Sequence, residues 1–222
     1  MRKLLLSAAI AVTTLFFIGC KKSNNTSGTP GIKYQLQTIN HSSVIARTTA
    51  GNIQWTSGYG SATEIKFEAE NNNHEVEFKS QIPQRIDLFL PVTLLGNVTL
   101  PPGTYSQVEF KVELNPTGTD AALELKGQYT SGGITTPIIF TVNAPLELKN
   151  EKSNVVIADN NSYKAITTLN LALLTTGVTE IMLNNAARTN GTIIISSTSN
   201  AGIYNIILNN LHDSDEVEFE HD

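Results

Sequence analysis

A mainly β fold, an antiparallel β-sandwich closed by one or two short helices near the C-terminus, is predicted from three features of the 222-residue sequence. Apolar and polar residues alternate with period two in several runs, the pattern of half-buried strands. Pro83, Pro91, Pro101, Pro102, Pro116, Pro137 and Pro145 are placed at the edges of those runs, as suits a residue that cannot donate to a ladder. Thr, Asn and other turn formers recur between short segments, which points to a sandwich or barrel. Hydrophobic residues make up 40% of the chain, enough for a core and too many for wholesale disorder. The single cysteine excludes a disulfide framework. A net charge of −5 with 15 basic residues lacks the cationic stripe of a nucleic-acid binder.

The chain opens with Arg2 and Lys3, runs uncharged from Leu4 to Ile18, and closes this stretch with Gly19-Cys20. A positive start, a short apolar run and a small residue at the break are the layout of a secretory signal. The run is shorter than the 20 or so residues that a spanning helix needs. Phe17-Ile18-Gly19-Cys20 resembles the bacterial lipobox, which implies cleavage between Gly19 and Cys20 and lipidation of the Cys20 thiol. Residues 1–19 are then the signal peptide. Removing 19 of 222 residues leaves 203, and losing Arg2 and Lys3 takes the net charge from −5 to −7. Residues 20–31, the lipidated Cys and KKSNNTSGTPG, offer no large apolar side chain and read as a flexible tether.

Beyond the tether, Glu64–Glu70 predicts a strand with Ile65, Phe67 and Ala69 inward, and Glu75–Lys79 another with Val76 and Phe78 inward. Asn71-Asn72-Asn73-His74 between them has the composition of a hairpin turn. Val108, Phe110, Val112 and Leu114 alternate with Glu109, Lys111 and Glu113, and Leu123 and Leu125 alternate with Glu124 and Lys126. Ile86–Leu90, Ile138–Val142 and Val155–Ile157 are apolar on both faces and read as central strands. Near the end, Ile203, Ile206, Ile207 and Leu211 follow helical spacing, so a helix over Ala201–Leu211 with Asn200 as N-cap is expected. Thr179–Ala187 suggests a further helical turn or two, and Ile193–Ile195 a buried strand. Residues 213–222 carry six acids and no Lys or Arg, which reads as a solvated acidic tail over 212–222. With no repeat and no internal linker, residues 32–211 form a single domain of ordinary size.

The search for catalytic chemistry returns absences. There is no phosphate-binding glycine loop, no H-E-x-x-H, no cysteine pair and no nucleophile elbow. His41, His74, His212 and His221 are scattered without metal-ligand spacing, so neither a metal nor another cofactor is expected. No catalytic residue is assigned, although counting Ser and Thr does not exclude a cryptic hydrolase.

Two surfaces are candidates for binding. Trp55, Tyr59 and Tyr34 could form an aromatic platform for a sugar ring, with Trp55 in a strand that leads into a loop around Gly58 and Gly60. The competing and preferred reading puts Trp55 in the core between sheets. Glu64, Glu68, Glu70, Glu75 and Glu77 gather five acids on one hairpin face against Lys66 and Lys79. Like charges facing across strands cost tenths of a kcal/mol, roughly, each. Partial pairing with the two lysines, plus screening, is the preferred account; a divalent cation or a basic partner on this face is the alternative.

Val98-Thr-Leu-Pro-Pro-Gly-Thr-Tyr-Ser-Gln-Val-Glu-Phe110 has the form LPxGTY. It resembles a segment of prealbumin-like β-sandwich modules and of Bacteroidota-type lipoproteins that carry a domain of unknown function. Gly191–Asn200 and Tyr204-Asn205-Ile206-Ile207 resemble the ends of such lipoproteins. The resemblance implies a prealbumin-like or immunoglobulin-like sandwich in a non-catalytic envelope lipoprotein, and assigns no functional residue. Some lipoproteins of that type carry acids directly after the lipidated Cys as a cue for surface display. Lys21-Lys22-Ser23 has none, which favours an outer-membrane anchor facing the periplasm over surface exposure. The expected partners are the membrane, through Cys20, and a glycan or another envelope protein.

Overall fold

The computed structural model describes residues 31–39, 52–71, 75–81, 83–159, 161–212 and 215–221. The signal, Cys20 and the tether up to residue 30, together with His41 and turn residues 72–74, lie outside the described residues. In chain order the strands are β1 (Gly31–Ile39), β2 (Asn52–Glu70), β3 (Glu75–Ser80), β4 (Gln84–Asp87), β5 (Thr93–Thr99), β6 (Gly103–Leu114) and β7 (Leu123–Ser131). β8 (Ile134–Val142), β9 (Leu146–Ile157) and β10 (Tyr163–Asn170) follow, then a 3-10 turn at Leu173–Thr175 and the short helix α1 (Glu180–Asn184). β11 (Arg188–Thr189), β12 (Thr192–Ile195), α2 (Ala201–His212) and β13 (Asp215–His221) complete the chain.

These strands build two sheets, a four-stranded one in the order β13-β10-β1-β5 and a nine-stranded one along β11-β12-β8-β7-β2-β6-β9, with β3 and β4 also on β2. The architecture is the mainly β, two-sheet arrangement that the alternation predicts. It is not wholly antiparallel, because β1 runs parallel to β10 and β12 parallel to β8. Both pairs join segments far apart in sequence, and long connections are what parallel pairing requires. The sheets meet through Tyr34 of the small sheet, whose ring stacks 4.3 Å from Phe110 of the large one. Phe67 packs against Phe110 from the neighbouring strand at 4.8 Å. Val108, Phe110, Val112 and Leu114 are all buried, while Glu109, Lys111 and Glu113 face outward. On α2, Ile203, Tyr204, Ile207 and Leu211 are buried, and the Tyr204 ring lies 5.7 Å from Phe140 of β8.

The 19-residue β2 organises the large sheet. β3 and β4 lie along one edge of it, and β6 and β7 along the other. Its alternation reverses twice. Ile53 and Trp55 are buried, a bulge follows between Trp55 and Ser57, and Gly60 and Ala62 then take the core-facing positions, with Tyr59 and Ser61 also buried on the other face. A second irregularity between Ala62 and Glu64 restores Ile65, Phe67 and Ala69 to the core. Each inserted residue flips the face of everything after it. The predicted loop around Gly58 and Gly60 is therefore continuous strand, hidden from pattern reading by its two bulges.

Other expectations are corrected as well. Ile86–Leu90 is not a central strand: β4 ends at Asp87, and residues 88–91 form a turn. Val155–Ile157 belongs to β9, the last strand of the large sheet, and Val156 is 63% exposed. Pro137 lies inside β8 and not at its edge; β12 pairs only with Ile138–Phe140, so the chain at Pro137 lies outside that pairing. The expected acidic tail is a strand over Asp215–His221, paired antiparallel with β10. Its alternation of acids with Val217 and Phe219 is that of a strand, and these two stand opposite Thr167 and Ala165, both buried. Asn200 takes a left-handed backbone with φ 53°, and its side chain turns away from the helix start to bond Ala187 and Ile194. The LPxGTY segment has a structural part to play: the buried Tyr105 donates from its hydroxyl to the Pro101 carbonyl at 2.9 Å and closes the corner.

Candidate functional site

An open cleft of about 410 Å³ lies where β4, β2 and β7 run side by side. Its lining is Ser57, Gly58, Tyr59, Arg85, Asp87, Glu124 and Lys126. Register explains the set. Asp87 and Glu124 stand directly opposite Tyr59 on its two sides, Ser57 faces Lys126, and Ser61 faces Arg85. The bulge at residue 56 turns this stretch of β2 over, so Tyr59 points to the face opposite that of Trp55. Gly58 can only be glycine: a Cβ there would lie 2.8 Å from the Glu124 carbonyl oxygen and 2.5 Å from a Leu125 methyl.

The Tyr59 ring is fixed through its hydroxyl, which accepts the Ala121 N–H at 3.3 Å. Over its face sits the Arg85 guanidinium, 3.5 Å from the ring centroid, a cation–π contact. The same guanidinium reaches both carboxylate oxygens of Asp120 at 3.4 Å, a long and weak pairing, and the side chain is 58% exposed. Asp120 is held by a tight turn in which its backbone exchanges two 3.0 Å hydrogen bonds with Thr117. Lys126 pairs with Glu124 at 2.9 Å, and Asp87 accepts the Phe89 N–H at 2.8 Å. A second depression of about 110 Å³, lined by Ser61, Pro83, Gln84, Thr117 and Asp120, shares Arg85 as its wall. Arg85 thus forms the partition between two hollows.

Of the predicted platform, Tyr59 alone reaches this site. Trp55 is 3% exposed and belongs to the core, and Tyr34 is buried with its hydroxyl on Thr167 Oγ1 at 3.2 Å. The sheet-to-sheet packing that needs large rings has taken both, so neither offers a face to a sugar. Arg85, Asp87, Glu124 and Lys126 were not distinguishable as a site in the sequence. They come from strands separated by some 40 residues, and only the register brings them together. For a hydrolase the cleft holds two carboxylates, but both are engaged, and no histidine among its lining residues could serve Ser57 as a base.

The acids Glu64, Glu68, Glu70, Glu75 and Glu77 lie on β2 and β3, and the charged rows continue onto β6 and β9. Glu68 faces Glu77, Glu70 faces Glu75, and Lys66 faces Lys79 across β2 and β3. β6 and β9 extend these rows with Glu109 and Glu151, and with Lys111 and Lys149. Glu64 pairs with Lys79 at 2.8 Å, and Lys66 pairs with Glu68 and Glu77. Lys79 holds the Glu64 carboxyl below the usual carboxylate range. Glu68, Glu70, Glu75 and Glu109 surround a shallow depression of about 140 Å³. Among the described residues no group of three or more His, Cys, Asp or Glu could hold a metal ion. Among them, too, no helix is long and apolar enough to cross a membrane. The chain matches no protein-family model, no curated protein and no solved structure.

Proposed function

We propose that this chain is a lipid-anchored cell-envelope protein that works by binding and not by catalysis, with the cleft between β4, β2 and β7 as its ligand site. The observation that carries the binding role is the convergence of Arg85, Asp87, Glu124 and Lys126 around Tyr59 in one open cleft. Charged groups of both signs around an aromatic floor favour orientation of a polar ligand. The anchor rests on Phe17-Ile18-Gly19-Cys20 and the polar tether behind it. One acyl chain binds membranes only marginally, so the several chains implied by the lipoprotein resemblance supply the stable attachment. Lys21-Lys22-Ser23 favours the periplasmic face of the outer membrane. A glycan is the second reading of the ligand, favoured by Tyr59 standing between two carboxylates that could accept from sugar hydroxyls.

The test has two parts. Replacing Cys20 by Ser should move the protein from the membrane to the soluble fraction and abolish incorporation of labelled palmitate; full membrane retention without label would refute the anchor. Peptide and glycan arrays probed with the full chain, and with an Asp87→Asn/Glu124→Gln double variant, address the cleft. Array signals that fall at least tenfold in the double variant support it, and signals untouched by both changes refute it.

A further inference from the structure

Resting on the reading of the cleft as a ligand site, we infer that the Tyr59 face is a receptor for a guanidinium or ammonium group presented by a partner polypeptide. Arg85 serves there as its built-in occupant. Three observations converge. The ring already carries a guanidinium at 3.5 Å and is only 8% exposed beneath it, so the ring face accommodates that group once Arg85 is displaced. Carboxylates stand on both sides of the ring in register, Asp87 on β4 and Glu124 on β7, with Asp120 behind Arg85. With Arg85 swung toward Asp120, the three acids around the ring face only Arg85 and Lys126, and Asp87 is left without a cationic partner among them. A π face flanked by carboxylates attracts a cation through both terms.

Arg85 has somewhere to go. Its side chain is exposed, its contacts to Asp120 are long, and the smaller hollow on its other side is lined by Asp120, Thr117 and Gln84. A turn of the side chain toward that hollow would strengthen the Asp120 pair while uncovering Tyr59. A ligand cation must therefore compete with Arg85, and its apparent affinity is reduced by the fraction of time that the ring is open. Such self-occupation keeps the site closed to isolated basic groups and reserves it for a partner that adds contacts along the cleft toward Ser57 and Lys126.

Calorimetric titration of the full chain in detergent with a tri-arginine peptide tests this, with a tri-glutamate peptide and maltotriose as comparators. Arg85→Ala and Arg85→Gln should each bind tri-arginine at least tenfold more tightly than the unmodified chain. Adding Asp87→Asn and Glu124→Gln to Arg85→Ala should return the affinity to the starting level or below. Thermal melts confirm that each variant is folded, and the two Arg85 variants guard against a local effect of either one. Unchanged or weaker tri-arginine binding in both would overturn the inference. Tri-glutamate binding that is lost with Arg85 would also overturn it, since Arg85 would then be the receptor for an anion. Maltotriose binding gained by the Arg85 variants without tri-arginine binding would overturn it too, while leaving the cleft as a ligand site.

Discussion

Lys66 and Lys111 stand directly opposite one another across β2 and β6, two like charges at a position where sheets favour opposite ones. Lys79 and Lys149 continue the row on either side, between rows of Glu77, Glu68, Glu109, Glu151 and of Glu64, Glu113, Glu147. Each lysine is satisfied along its own strand or on the diagonal. Lys111 reaches Glu113 at 2.7 Å and Glu147 at 3.5 Å, and Lys149 reaches Glu151 at 2.7 Å and Glu109 at 3.1 Å. The rows form a lattice in which each charge has its opposite next to it in at least one direction.

This lattice sets a pH window. Hydrogen bonds that Lys66, Lys111 and Lys149 donate to Glu68, Glu113 and Glu151 hold the three lysines protonated above the ordinary 10.5. Their contribution is complete below that value and is lost as pH rises through the raised folded values. Glu64 is held below its ordinary 4.5 by Lys79, so its contribution is present above 4.5 and is lost as pH falls through the lowered value. Thermal melts should show a plateau between these limits and a fall on either side. Because the groups lie on the surface and are at least partly open to solvent, 0.5 M NaCl should weaken both arms. A midpoint that climbs above pH 10.5 would contradict the lattice.

Gly127 supports the bulge that turns Tyr59 toward the cleft. A Cβ at Gly127 would lie 2.3 Å from the Gln54 carbonyl oxygen and 3.0 Å from Trp55 Cα, both backbone atoms of β2. Gly127→Ala should therefore destabilise by about 3 kcal/mol, at the upper end for overpacking. Gly202→Ala is the control: it lies on α2 with nothing within 4 Å, and should stabilise by about 0.5 kcal/mol. Urea unfolding of the two variants reads the difference, and equal effects would remove the bulge from the account.

What the sequence makes legible follows from how local each signal is. Val108–Leu114 declares its strand and both faces because the alternation lies within seven residues that pair with β9 without interruption. Ala201–Leu211 does so at helical spacing. Between Trp55 and Glu64 the same rule fails, since two bulges reverse the pattern within that short stretch. Lys111 is legible as an outward residue, but only the pairing of β6 with β2 and of β9 with β6 makes it and Lys149 part of the predicted acidic face. The cleft is the extreme case. Tyr59 stands out in the sequence by its ring, while Arg85, which covers that ring, carries no local mark at all. Residues 213–222 are obscured for a different reason: the density of acids hides the period-two placement of Val217 and Phe219.

Asn200 joins three segments through one side chain. Its Oδ1 accepts the Ala187 N–H at 2.8 Å, and its Nδ2 donates to the Ala187 and Ile194 carbonyls at 3.0 and 2.7 Å. Its left-handed φ adds a second demand that Asn meets better than most residues. Asn200→Ala loses both, at about 1 kcal/mol per hydrogen bond and roughly 1 kcal/mol for the backbone, or about 3–4 kcal/mol in all. Asn200→Gly keeps the backbone at ease and should be about 1 kcal/mol less harmful. Chemical unfolding of the pair separates the two terms, and equal losses would place the whole effect in the hydrogen bonds.

β13 closes one edge of the small sheet, so its removal bears on association as well as stability. Seven residues of β10, from Tyr163 to Leu169, pair with His221 back to Asp215. Ending the chain after His212 leaves that row of N–H and C=O groups open beside a strand whose alternate residues Ala165, Thr167 and Leu169 are buried. The acids at 216, 218 and 220 are lost with it, and charged residues on an edge strand discourage further pairing. The truncated chain should melt about 5 °C or more below the full chain, equivalent to about 2 kcal/mol at this size. It should also form oligomers that grow with concentration in sedimentation velocity. Replacing Glu216, Glu218 and Glu220 by Gln in the full chain should reproduce the association while costing less in melting temperature, because the ladder stays while its charge is removed. If the truncated chain keeps both the melting temperature and the sedimentation behaviour of the full chain, β13 has no part in holding the small sheet.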